Sequence, residues 1–228
     1  MISHSHPFKL IALCLLLLGP GGILEAASVK FIAMNEEIAG RKFGFKDSKG
    51  TTKLTDLTLL KRTKSYSCKL GKAPLELLEF NRADSPDKPV STSITLPPDF
   101  KSALVLIMPD PKDPAALVGI ALEDDIAKFA WGTMRFVNTT DQALVIRCEK
   151  EEHPTPASTS PVDVVPVGDA RNMAMQVFKE SNPAEILYSA VWEHDPNVRK
   201  LIVIVTGPDA ATKPFDLSIV PETRPAKN

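Results

Sequence analysis

Trp131-Gly-Thr-Met-Arg-Phe-Val-Asn-Thr-Thr-Asp-Gln-Ala-Leu-Val-Ile-Arg147 reads as the chain starting over. Met134-Arg-Phe-Val137 repeats the residue types of Val29-Lys-Phe-Ile32, and the blocks after each opening recur in the same order. Leu59-Leu60 matches Val164-Val165. Lys72-Ala-Pro-Leu-Glu-Leu-Leu78 matches Ser181-Asn-Pro-Ala-Glu-Ile-Leu187 through a shared Pro-x-Glu-x-Leu. Ala103-Leu-Val-Leu-Ile-Met-Pro-Asp-Pro111 matches Lys200-Leu-Ile-Val-Ile-Val-Thr-Gly-Pro208, and each is followed by a loop and a last apolar stretch. Self-similarity over such a span marks a duplicated structural unit.

The stretches between these matches are short and extended. Arg41-Lys-Phe-Gly-Phe-Lys46 and Tyr66-Ser-Cys-Lys-Leu70 alternate apolar and polar residues, the period of a half-buried strand. Ala103-Leu-Val-Leu-Ile-Met108 is continuously apolar, as in a strand covered on both faces. The chain holds 20 prolines against 11 glycines, which argues against long helices and for short strands joined by rigid turns. The fold expected is therefore all-β: two tandem immunoglobulin-like antiparallel β-sandwich units, each with roughly six or seven strands. The units are assigned to residues 28–126 and 127–222, followed by a flexible tail at 223–228. Glu123 to Ala130 is read as a short helical linker, Leu54 to Leu60 as helix or strand, and Lys150 to Pro161 as an exposed mobile loop. The polar tail is expected to fray from Pro221.

Residues 1–27 have the layout of a secretory signal peptide. Lys9 precedes the apolar run Leu10 to Leu18, Gly19-Pro-Gly-Gly22 ends it, and Ala26, Ala27 and Ser28 supply small residues for cleavage. The run is shorter than the roughly 20 residues that span a bilayer, so no membrane span is expected after cleavage. Export places the protein in the periplasm or outside the cell, an oxidising compartment. Cys68 and Cys148 fall at different places in different units, where a bridge between the units competes with two separate buried apolar residues.

The 228 residues are 43% apolar and 24% charged with a net charge of -1, which gives no field to recruit nucleic acid. No Gly-x-Ser-x-Gly elbow and no glycine-rich phosphate loop is present, and neither mature cysteine adjoins a histidine. Glu151-Glu-His-Pro154 could lend metal ligands but reads as a solvated loop, and Glu123-Asp-Asp125 lacks the ligand spacing of a calcium loop. No catalytic residue, metal or cofactor is assigned. Asn138-Thr-Thr140 fits a glycosylation acceptor. Trp131, Trp192, His194 and Asp195 are the candidate binding residues: two aromatics, the first at the junction, the second beside a His-Asp pair that reads as a hairpin turn.

Two functions fit this sequence. The first is a non-catalytic exported module that binds a protein or cell-envelope component, with specificity in the unequal loops Asn81 to Pro98 and Lys150 to Pro161. The second is a secreted hydrolase or carbohydrate-active protein with a cleft between the units, drawing on Glu123, Asp124, Asp125, His194 and Asp195.

Overall fold

Two runs, Ala103 to Met108 and Leu201 to Ile204, are buried along their whole length. A strand that hides both faces must lie inside a stack of layers, and these two form its middle. The computed structural model describes residues 26–69, 74–113, 115–209 and 211–226. The leader read at the N-terminus lies outside the described residues as far as Glu25, and Ala26 and Ala27 stand at the head of the first strand. Among the described residues no helix is long and apolar enough to cross a membrane.

The first unit contains β1 (Ala26–Ala33), a single helical turn α1 (Glu36–Ala39), β2 (Lys42–Asp47), β3 (Gly50–Lys53), β4 (Tyr66–Lys69), β5 (Leu75–Phe80), β6 (Val90–Ile94), β7 (Ser102–Pro109) and β8 (Leu117–Glu123). The second contains β9 (Met134–Asn138), β10 (Leu144–Cys148), β11 (Glu151–Thr155), β12 (Val162–Val164), β13 (Arg171–Lys179), β14 (Asn182–His194), β15 (Val198–Asp209) and β16 (Lys213–Thr223). Each unit is a sandwich of two four-stranded sheets. The inner sheets run β4-β1-β7-β8 and β12-β9-β15-β16; the outer sheets run β3-β2-β5-β6 and β11-β10-β13-β14. Every strand of the second unit takes the place of the strand eight earlier in the first, so the two units share one topology. The pairing is antiparallel except for one parallel pair at the centre of each inner sheet, β1 with β7 and β9 with β15.

Register tests the internal matches one by one. Val29 stands opposite Ala103 as Met134 stands opposite Lys200, so the first and last matches are true to the residue. The other two are not. Leu59 bridges β1 at Ala33 outside any strand, whereas Val164 lies opposite Met134, the place Tyr66 holds opposite Val29. Leu75–Phe80 is β5, whose counterpart is β13, whereas Ser181 to Leu187 runs into β14. Short apolar stretches beside a proline carry no register of their own, so these resemblances arose without common position.

Helix α1 is capped by the Asn35 side chain accepting from the Ile38 N–H. Other expectations shift as well. Leu54 to Leu60 is neither a helix nor a regular strand. Within Lys150 to Pro161, Glu151–Thr155 is an edge strand paired with β10, and it tolerates Pro154 because an edge needs only half its N–H groups. The linker, by contrast, makes a single turn where a helical turn or two is expected from the sequence, closed by the Phe129 N–H donating to Asp125 O at 2.8 Å. The end does not fray at Pro221: Pro221 and Glu222 pair with Lys200 and Arg199, and the Arg224 N–H donates to Asn197 O at 2.7 Å.

Three apolar clusters explain the stack. One fills the first sandwich around Phe31, Phe45 and Leu77; another fills the second around Phe136, Ile146 and Trp192. The third lies between the units, where Ile32, Leu104, Leu106 and Leu122 meet Val137, Leu201, Val203 and Val220, with Phe129 of the linker at its margin. Alternation assigns the faces: Phe31 points into its own sandwich and Ile32 toward the other unit, and Phe136 and Val137 do the same. Cys68 and Cys148 are free thiols in separate sandwich cores, so they are buried apolar residues and not a bridge. Burial pushes the Cys68 thiol up to about 11, with Asp47 adding to the effect, and burial raises Cys148 too.

Candidate functional site

The surface between the units is filled, not open. Its margin carries the densest charge in the described residues. The Asp124 carboxylate is buried, with Lys30 at 3.0 Å, Arg199 at 3.1 Å and Arg62 at 3.7 Å. Glu222 lies 2.6 Å from Arg199 and 3.3 Å from Arg62. Burial works to raise the Glu222 carboxyl, but Arg62 and Arg199 outweigh it and hold it below its usual range. Burial pulls the Arg62 guanidinium downward against the opposing pull of Asp124 and Glu222.

The linker is fastened by two arginines of the second unit. Arg135 donates to Glu123 O at 2.6 Å and Lys128 O at 3.0 Å, and makes a bidentate pair with Asp163. Arg199 donates to Asp124 O and Phe129 O. The two guanidinium groups lie 4.4 and 4.8 Å from the Phe129 ring centroid. Lys30 occupies in the first unit the position Arg135 holds in the second, so the duplicated basic residue serves the junction from both sides.

The four residues singled out from sequence do not share one pocket. Trp131 is half-buried at the junction, with Arg199 and Arg224 at 5.2 and 5.9 Å from its ring. Trp192 is buried in the second core, stacked on Phe136 at 6.1 Å. His194 is buried against Gly132, its Nε2 has no hydrogen-bond partner, and it makes no ion pair among the described residues. Asp195 caps its own turn, accepting from the Asn197 N–H at 2.8 Å. That turn is not a hairpin: β14 lies in the outer sheet and β15 in the inner, so it is a corner between sheets. Glu123 offers its carbonyl to Arg135, and Asp125 accepts from the Ala127 N–H. Asn138 is fully buried and its amide donates to Gln142 O and Thr155 O, so in the folded protein it braces a turn and offers no glycosylation site.

An open site lies instead on the flank of the second sandwich, between the edge strands β14 and β16. Leu187 and Tyr188 line one wall, and Pro214, Phe215, Leu217 and Ile219 the other. Tyr188 links it to the core, because its hydroxyl accepts from the Trp192 indole N–H at 2.9 Å. Ile219 is 38% exposed and Ile186 is 48% exposed, a high value for side chains beside a packed core.

The first unit shows why this flank stands open. Register places Leu117, Gly119 and Ala121 of β8 where β16 has Phe215, Leu217 and Ile219. Against the small row, Ile94 of β6 closes down so far that a Cβ on Gly119 would fall 2.4 Å from Ile94 Cδ1. Against the large row, no such approach is available to β14. Ile186 to Trp192 is a run of seven residues free of charge and proline. That absence was the available signal.

No known protein-family model matches this chain, and a search of characterised proteins finds no match.

Proposed function

We propose that the protein is an exported, non-catalytic binding or assembly module that engages a protein or cell-envelope component in the periplasm or outside the cell. The observation that carries this reading is the open apolar flank between β14 and β16, beside a described core whose three apolar clusters are packed. The apolar junction and its charged margin hold the two sandwiches as one body, suited to presenting a surface. The space a hydrolase would need between the units is occupied by Leu106, Val203 and their neighbours.

Site-specific photo-crosslinking in the producing cell tests this. Crosslinkers at Val191 on β14, Thr92 on β6, Asp87 and Ala157 sample both sheet edges and both unequal loops. A defined partner captured at one or more positions supports the module. Capture at none of them, together with hydrolytic activity that Asp124→Asn abolishes, overturns it.

A further inference from the structure

We infer that the open flank receives an extended segment of a partner protein, apolar at alternate residues and basic at its ends, which adds to β14 as a further strand of that sheet. The inference rests on the module reading above and names its partner's chemistry.

β14 is an edge strand of 13 residues. Alternate residues of an edge direct N–H and C=O groups away from the sheet; no loop or turn backbone of the described residues bonds to those of β14, and the Lys200 side chain donates to the Glu193 carbonyl at its end. Three other edges are interrupted by polar residues or proline, and β8, equally neutral from Leu117 to Leu122, has Ile94 of β6 packed against it. β6 has 5 residues and carries Ser91, Thr92 and Ser93. β11 carries Glu151, Glu152 and Pro154, and β16 has Pro214 and Pro221. β14 offers Ile186-Leu-Tyr-Ser-Ala-Val-Trp192 with neither charge nor proline, the composition that templates strand addition.

Side chains of an added strand alternate between the two faces of the sheet. Those turned inward meet the groove of Leu187, Tyr188, Leu217 and Ile219. Charge selects the ends. Exposed Glu185 and Glu193 bracket the neutral stretch, and the groove's own base, Lys213, is paired with Asp216 at 2.8 Å. A second copy of this chain fits less well, because β14 contains no Lys or Arg and antiparallel pairing about Ser189 sets Glu185 against Glu193.

The test uses the exported chain and synthetic peptides that alternate valine and threonine between lysine ends, with matching peptides ended by glutamate or interrupted by proline. Fluorescence anisotropy is expected to give saturable binding of the lysine-ended peptide, at least roughly tenfold tighter than either control. Ile219→Lys should weaken it by a similar factor. Glu185→Lys with Glu193→Lys should reverse the preference between lysine and glutamate ends, while Thr92→Lys on β6 changes nothing. Both glutamates are exposed, so the reversal does not depend on a damaged core. Equal affinity for all peptides, or no binding, overturns the inference. So does self-association in sedimentation that Ile219→Lys abolishes and the paired glutamate change leaves intact, since a second copy then fills the groove. Peptide failure alongside crosslinks from Asp87 or Ala157 sinks the strand-addition idea and leaves the module reading standing; failure of both sinks both.

Discussion

The two sandwiches share eight strands in the same order and differ at one flank. In the first, Gly119 and Ala121 leave room, Ile94 drops onto them, and a short polar β6 finishes the sheet. In the second, Leu217 and Ile219 take those places, and a long β14 stands beside a groove. Duplicating a unit duplicates its edges, and an edge is a liability until something covers it. One copy is covered from within. The other has the larger apolar row, and that row stays partly in water.

The largest effect expected comes from the tie that makes the copies one body. Arg199 sits where the first unit has Ser102. Arg199→Met strips Asp124 and Glu222 of their closest shared cation and should cost about 3 kcal/mol, whereas Ser102→Ala stays within about 0.5 kcal/mol. Urea titration followed by thiol labelling checks both, since Cys68 reports the first core and Cys148 the second. Equal small losses would mean that the junction does not couple the units.

Exchanging the deciding residue comes next. Gly119→Leu gives the first unit the side chain of the second, forces Ile94 away and should cost about 1–3 kcal/mol. Thiol labelling should register the loss first at Cys68. A neutral outcome would show that the small row is not what closes that flank.

Acid should act more gently and through the junction. The Glu222 carboxyl is depressed in the folded protein relative to an ordinary 4.5, so its contribution is present above that value and lost as pH falls through the folded one. Melting temperature should therefore fall below about pH 4.5, and Glu222→Gln should flatten that decline. A decline unchanged in the variant would assign it to other carboxylates. The smallest effect belongs to the open flank itself: Val191→Lys, at a residue 70% exposed, should move stability by no more than about 0.5 kcal/mol.

The layered architecture was legible because burial on both faces writes itself into composition. Leu104, Val105, Leu106 and Ile107 have no polar alternation, and neither have Leu201 to Ile204. The duplication was legible at β1 and β9 because Lys30 and Arg135 interrupt the apolar pattern at the same step. It was misread at Leu59-Leu60 and at Pro74 and Pro183, where nothing in the local pattern fixes which strand is adjacent. The binding candidates are dispersed for a related reason. Trp131, Trp192, His194 and Asp195 are close in sequence or suggestive in type, but a corner between sheets sends them to a junction, a core and a turn. The groove joins residues of β14 and β16 whose nearness depends on what β6 and β8 do in the other copy, a relation no single stretch contains.

The parallel pairs at the centre of the inner sheets impose a timetable. Val29 must wait for Ala103, and Met134 for Lys200, before either middle can close. Nearly a whole unit has to be present before its first strand finds its parallel partner, and such distant pairings fold slowly. A completed first unit then still bares Ile32, Leu104, Leu106 and Leu122 until the second arrives to cover them. For a chain that emerges from one end, the most sheltered surface in the finished molecule is the one left unprotected longest while it is being made.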